Sequence, residues 1–268
     1  MKSCTLNIEA PASLTRRLIA QSLPRFLHAH PGVRVFMRDV NPTGRMLTRN
    51  ADAAICIGPI TDPNLIANEV GAVRSITCAS ADFVASEGVP SAPADVDPRH
   101  CIAVFDPGTQ RAQEWLFRRN SDTYAILPTG PLAFSDGDSA VAAAVRGGGY
   151  VQVLCFEVEQ QIAAGLLQPV LSEWNAASQP VAVIHARDGH QSRELLAFQA
   201  FVANLFPAGM NCYPSVRKGG TQTILCDSRR EYRAADAPLI ASSPNAQEVA
   251  HSRPPPSAAA SCDRHSPR

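Results

Sequence analysis

The chain has 268 residues with 24 basic and 24 acidic side chains, so its formal net charge is zero at neutral pH. This balance offers no broad basic surface for nucleic acid or for an anionic membrane. The 45% apolar content suffices for a large core, but no run reaches the roughly 20 apolar residues that span a bilayer. The N-terminus lacks the apolar core of a secretory signal, and the eight cysteines form no Cys-x-x-Cys pair. We therefore expect a soluble, cytoplasmic protein with reduced thiols.

The first part of the chain alternates strands with helices. Alternating apolar residues predict strands at 5–10 and 33–37, and a buried apolar run predicts a third strand at 53–57. Ser13 is placed to cap a helix after the first strand, and a shorter helix is predicted at 44–49. This β-α-β-α-β order is typical of an α/β sheet with parallel strands.

The pattern becomes less regular after residue 80. Pro90, Pro93 and Pro98 interrupt it, and glycines at 147–149 and at Gly165 are placed to end helices. The elements predicted there are strands at 100–105, 132–135, 150–154 and 181–185, and helices that begin after Ser135 and Asp136, at 156–164 and at 195–205.

The composition changes again at about residue 207. The remaining residues contain two aromatic side chains, Tyr213 and Tyr232, and a proline run at 254–256. Such a segment buries too little apolar surface to offset the entropy of ordering it. We expect residues 207–268 to be a disordered C-terminal tail.

Short motifs between residues 6 and 206 occur in an order that resembles one protein family. The motifs lie at 23–33 (Leu-Pro-Arg-Phe-Leu-His-Ala-His-Pro-Gly-Val), 52–58 (Asp-Ala-Ala-Ile-Cys-Ile-Gly), 78–80 (Cys-Ala-Ser), 88–90, 100–101, 115–117, 142–149 (Ala-Ala-Ala-Val-Arg-Gly-Gly-Gly), and 165–171 followed by Trp174. Together they resemble the effector-binding domain of LysR-type transcriptional regulators.

The resemblance implies an α/β fold of two subdomains like a type-2 periplasmic binding protein, with a cleft between them. Two strands would cross between the subdomains near Ser80 and Val183. We expect subdomain I to comprise residues 1–80 with 184–206, and subdomain II to comprise residues 81–183. A small, often anionic effector would bind in the cleft, where helix N-termini and loop amides face it.

The implied geometry predicts the residues that contact the effector. Helix starts and the ends of parallel strands gather at one edge of each sheet. The candidates are Ala12, Ser13, Asn41, Thr43, Ser135 and Asp136, with Ser13 and Thr43 the strongest. An ordinary role as helix cap or turn residue stays open for each of them.

Some positions depart from the family pattern. Cys56 stands where many relatives carry Arg, which puts an effector contact at that position in doubt. Gly189 replaces another frequent Arg, and residues 196–198 lack the Arg that commonly precedes Ala-Phe. The winged helix-turn-helix that binds DNA in this family is not seen before the motifs that carry the resemblance. We expect DNA to be bound only through such a domain, which is absent from this chain. Whether the chain is a functional fragment or a truncated or mis-started regulator stays open.

The predicted function is therefore sensing of a small-molecule effector, with self-association as a homodimer or tetramer through the first helix and the second strand. The alternative is a solute-binding protein of a transporter with the same fold, which the missing signal sequence disfavours. No nucleophile elbow, phosphate loop or metal spacing supports an enzyme, a cofactor or a metal site. His28 and His30 are interpreted as surface histidines, since no third ligand is nearby in sequence.

Overall fold

The computed structural model describes residues 4–40, 47–48, 50–174, 178–189, 191–206, 212–215 and 223–226. The strands are β1 (Cys4–Pro11), β2 (Val33–Val40), β3 (Ala53–Ile57), β4 (Leu65–Ala79), β5 (Ala103–Asp106), β6 (Arg111–Ala112), β7 (Trp115–Arg119), β8 (Asp122–Ile126), β9 (Ala133–Phe134), β10 (Val151–Leu154), β11 (Gln168–Val170), β12 (Ser178–Ala186), β13 (Cys212–Ser215) and β14 (Thr223–Cys226). The α-helices are α1 (Ala12–Leu14), α2 (Ala20–Ala29), α3 (Ala81–Glu87), α4 (Gly137–Val145), α5 (Cys155–Ala163) and α6 (Arg193–Ala203).

The largest sheet has the strand order β10-β4-β12-β3-β1-β2, with β11 pairing the side of β4. Strand β1 is parallel to both β2 and β3, which confirms the parallel start predicted from the alternating elements. Strands β4 and β12 are the long antiparallel pair, from Leu65 against Ala186 to Arg74 against Ser178, and the register shifts by one residue between Val181 and Ala182. The fold is therefore a mixed α/β sheet, curled around more than one core.

The first helix begins one residue after β1. Pro11 occupies the N-cap with extended dihedrals of −56° and 135°, and no side chain caps the helix. The prediction that Ser13 is the cap was wrong, because the fixed φ of proline suits the residue that precedes the first helical turn. Ser13 instead lies inside that turn. A π-helical stretch, Thr15–Ile19, joins α1 to α2 and widens the helix around Arg16 and Arg17.

Most other predicted elements match within one to three residues. Strand β3 has the predicted bounds, and β12 is longer than predicted at both ends. Leu47 has a φ of 54° and neither it nor Thr48 is helical, so the helix predicted at 44–49 does not include them. Residues 44–46 and Arg49 lie outside the described residues.

Separate hydrophobic cores lie along the curled sheet. One core packs Leu6 and Ile55 against Phe198 of α6 and the first helix. Another packs Cys78, Ile102 and the small residues of α4 against α5, and a third surrounds Trp115 and Phe117. Strand β4 contributes Val73 to the first core and Cys78 to the second, so it connects them. The predicted subdomain boundaries stay a prediction.

Within the predicted tail, Cys212–Ser215 and Thr223–Cys226 form an antiparallel pair of strands, and the other tail residues lie outside the described ones. No helix in the described part of the chain is long and apolar enough to cross a membrane. Within the described residues, Cys4, Cys56, Cys78 and Cys101 are not in disulfide bonds.

Candidate functional site

A cavity of about 510 Å³ opens where the first core meets the second and third. We call the side formed by residues 11–16, 39–40 and 57–59 the first wall, and the side formed by residues 104–116, 135–138 and 152–157 the second wall. Ser75 of β4 and Gln179 of β12 lie between the walls. The polar and charged side chains of the lining are Ser13, Arg16, Asp39, Ser75, Gln113, Glu114, Ser135, Asp136, Asp138, Gln152, Glu157 and Gln179.

Four of the six residues predicted from sequence line this cavity. Ala12 and Ser13 are on the first wall, and Ser135 and Asp136 face them from the second wall. Asn41 and Thr43 lie outside the described residues. The structure therefore brings the described candidates together, while their contact with a ligand stays a prediction.

Three helices begin at the cavity, and they differ in whether a side chain caps the first turn. At the start of α4, the Asp136 carboxylate accepts a hydrogen bond of 2.8 Å from the Ser139 amide. At the start of α5, the Glu157 carboxylate accepts one of 2.9 Å from the Leu154 amide. No side chain caps α1. The pairing of Pro11 with Val40 in the parallel β1–β2 ladder gives the Ala12 amide the Val40 carbonyl as acceptor, and the amides that follow it in the first turn have no intrahelical acceptor. The first wall therefore presents an uncapped helix start, which carries partial positive charge.

Glu157 is the buried acid of the site, with a relative exposure of 6%. Burial raises the pKa of its carboxyl group, although hydrogen bonds from the Ser13 hydroxyl and the Leu154 amide favour the ionised form. Because Ser13 is on the first wall, this hydrogen bond crosses the cavity. A Cβ atom at Gly137 would lie 2.9 Å from both carboxylate oxygens, so only glycine fits beside Glu157 without displacing it.

An ion-pair cluster also joins the two walls. Arg16 and Arg17, on the π-helical turn, each donate to one carboxylate oxygen of Asp138 in α4. Arg17 donates in addition to the Gln160 amide oxygen of α5 at 3.2 Å. Burial alone would raise the pKa of Asp138, but the hydrogen bonds from Arg17 and Arg16 outweigh it and lower that pKa.

Both walls contribute apolar residues to the lining. On the second wall these include Phe105, Pro107, Trp115 and Leu116, and Trp115 is 2% exposed. Such a lining, with a few convergent polar groups, is typical of small-molecule sites. Within the described residues, no three His, Cys, Asp or Glu side chains gather as metal ligands.

Sequence reasoning missed Arg16, Asp138 and Glu157. Arg16 follows Ser13 by three residues, so helical periodicity could have placed both on one face. Asp138 and Glu157 reach the first helix across more than a hundred residues of chain, and no local pattern indicates such a contact. Cys56, by contrast, does not line the cavity; it packs with Ala54, Ala182 and Ile184. Burial raises the pKa of its thiol to about 11, with a smaller contribution from Glu9.

Comparison with known proteins identifies relatives of one kind. The LysR substrate binding domain family matches residues 2–207. An HTH-type transcriptional repressor of Pseudomonas aeruginosa strain UCBPP-PA14 is 24% identical over 201 residues, which cover 75% of this chain and 63% of that protein. The chain thus spans less than two thirds of the length of this relative.

Solved structures of LysR-type regulators share the fold. The regulatory domain of CrgA from Neisseria meningitidis superposes with a TM-score of 0.66 at 21% identity, covering 75% of this chain and 98% of that domain. The full-length virulence activator AphB of Vibrio cholerae, a member of the same family, gives 0.65 at 22% identity over 75% of this chain and 68% of AphB. At these identities the likeness shows the fold.

Proposed function

The chain belongs to the LysR substrate-binding domain family, and we propose that it senses a small, negatively charged effector in the cavity between the two walls. The observation that carries this proposal is the uncapped start of the first helix at Ala12 and Ser13, which lines a cavity large enough for a small organic acid. Amide groups at a helix start favour anions, and the cavity excludes part of the competing water.

The effector can be sought by a thermal-shift screen of aliphatic and aromatic carboxylates. A ligand at about 100 times its dissociation constant stabilises the protein by about 2.7 kcal/mol. Ser13→Ala and Ser135→Ala should reduce the shift, while Ser86→Ala, on an exposed turn of α3 outside the cavity, should not. A shift that survives Ser13→Ala and Ser135→Ala together would contradict the proposed site.

We propose the subdomain division given above, with β4 and β12 as the connecting strands. Supporting it, each of these strands runs from the first core towards the residues around the cavity, and Ser75 and Gln179 lie between the walls. Effector binding would then shift an existing equilibrium between arrangements of the two walls. Limited proteolysis with and without effector, read at residues 80 and 183, tests the division.

We also propose that two copies pair through the first helix and β2. Strand β2 is at the edge of the sheet within the described residues, and Phe36 on it is 52% exposed with Arg34 stacked 5.4 Å from its ring. An exposed edge with an apolar side chain favours pairing. Light scattering should show a smaller particle for Phe36→Asp than for the original chain. We propose gene regulation through DNA and a cytoplasmic location on the basis of family membership alone.

A further inference from the structure

The charges that line the cavity are unequally distributed. In the part of the chain that the structure describes, Arg16 is the single positively charged side chain of the lining, and Asp39, Glu114, Asp136, Asp138 and Glu157 are acidic. A cavity of this composition would repel a carboxylate unless the ligand reached Arg16. Arg16, however, already donates to Asp138. The arginine that an anionic effector needs therefore has a carboxylate partner from the protein itself.

Arg16 and Arg17 hold Asp138 in different ways. The Arg17 side chain is 20% exposed, does not line the cavity, and donates to Asp138 Oδ1 at 2.9 Å and to Gln160 at 3.2 Å. The Arg16 side chain is 56% exposed, lines the cavity, and donates to the other oxygen, Oδ2. A ligand in the cavity can reach Arg16 without disturbing Arg17.

Asp138 does not depend on Arg16 for compensation of its charge. It lies at the second residue of α4, where the helix start favours a negative charge, and Arg17 neutralises it from the more buried side. Gln160 holds Arg17 in place. The Arg16–Asp138 pair can therefore be exchanged at a small energetic cost, whereas the Arg17–Asp138 pair holds α4 against the first helix.

We propose that Asp138 is a built-in competitor that occupies Arg16 until the carboxylate of the effector replaces it. This inference rests on the proposed function, since it names the side chain that binds the effector's charge. On exchange, the effector carboxylate accepts from Arg16, and Asp138 keeps Arg17. One of the two ion pairs across the cavity is then replaced by a pair through the ligand, which links occupancy to the contact between the walls.

The test uses benzoate as the probe and benzamide as its uncharged isostere, with affinities measured by isothermal titration calorimetry on the full chain. Asp138→Asn removes the competing charge and keeps a polar side chain in the first turn of α4. We expect this variant to bind benzoate about tenfold tighter than the original chain, since a charge-assisted hydrogen bond is worth a factor of this order. The affinity for benzamide should be the same in both proteins. The gain in benzoate affinity should disappear when Asp138→Asn is combined with Arg16→Gln.

Two matched variants separate binding from stability. Asp97→Asn removes a surface ion pair with Arg99 outside the cavity and should leave benzoate affinity unchanged. Arg17→Gln should lower the melting temperature more than Arg16→Gln, because Arg17 is the more buried partner. Arg16→Gln should weaken benzoate binding more than it lowers the melting temperature.

Several outcomes would overturn the exchange. Equal benzoate affinity of the original chain and Asp138→Asn, a gain that survives Arg16→Gln, or no benzoate binding by either protein at millimolar concentration would each do so. Tighter binding of benzylamine than of benzoate would show that the acidic lining selects cations instead. The proposed sensor function would fail separately, if no compound of the carboxylate screen shifted the melting temperature through the cavity residues.

Discussion

The two walls of the cavity present opposite electrostatic surfaces. The first wall has an uncapped helix start and Arg16, with one carboxylate, Asp39, on β2. The second wall has two capped helix starts, and three of its carboxylates are already engaged: Asp136 and Glu157 with amides, and Asp138 with Arg16 of the first wall and with Arg17, which does not line the cavity. Under the proposed function, an anionic effector would be attracted by the first wall and would displace contacts made by the second. The second wall would then be the regulating side of the site.

The largest predicted effect comes from Gly137→Ala on the second wall. The new Cβ would lie 2.9 Å from both carboxylate oxygens of Glu157, which is buried and bound to the Leu154 amide. Over-packing of this kind costs about 1–3 kcal/mol, measurable by urea unfolding. Gly108→Ala is the control, because there the nearest atom is a carboxylate oxygen of Asp106 at 3.1 Å on an exposed turn. Equal stability of both variants would contradict tight packing of the second wall.

Helix capping gives the next effect. Asp136→Ala should destabilise the protein by about 1 kcal/mol, because the Ser139 amide loses its acceptor. Asp136→Asn keeps an acceptor oxygen and should cost less. Ala12→Pro on the first wall should also lower stability, because proline removes the amide that pairs with the Val40 carbonyl of β2. Chemical denaturation of the three variants compares the side-chain cap of α4 with the strand contact at the start of α1, and unchanged stability of Ala12→Pro would argue against that contact.

A smaller effect is expected from the pH dependence of Asp138. Its pKa is lowered in the folded protein, so the stabilisation that it provides is complete above its ordinary value of 3.8. The stabilisation is lost as pH falls through the lowered pKa. The difference in unfolding free energy between the original chain and Asp138→Asn should therefore stay constant well above pH 3.8 and decrease as the pH falls below that value. A difference that stays constant there as well would show that the ion pairs do not favour the carboxylate.

Glu157 should show the opposite and smallest trend. Its pKa is raised by burial, so its contribution to stability is complete below the ordinary value of 4.5 and decreases as pH rises through the raised pKa. Relative to the original chain, Glu157→Gln should therefore gain stability between acidic and neutral pH. Urea unfolding of both proteins at several pH values measures this gain in stability. Titration of the Glu157 carboxyl by NMR provides an independent check. An unshifted titration would remove the electrostatic contrast between these two acids.

Sequence patterns predicted β1, β2 and β3 with their parallel start, most of the later elements, and the family, but not α3, the β7–β8 hairpin or β11. Apolar alternation and turn residues are local signals, and the motifs keep their order along the chain, so β3 and α6 could be recognised without a structure. The same signals placed Ala12, Ser13, Ser135 and Asp136 at helix starts that line one cavity.

Tertiary structure alone decided which side chains meet across that cavity. The Ser13–Glu157 and Arg16–Asp138 contacts join residues more than a hundred positions apart, and their formation depends on how the two walls pack. In the sequence, a serine three residues before an arginine indicates only that the two share a helical face. An aspartate in a first helical turn indicates only a favourable charge near a helix start. Only the folded chain shows that this aspartate occupies the cavity's arginine, because charge compensation is a property of distance in space and not of spacing in sequence.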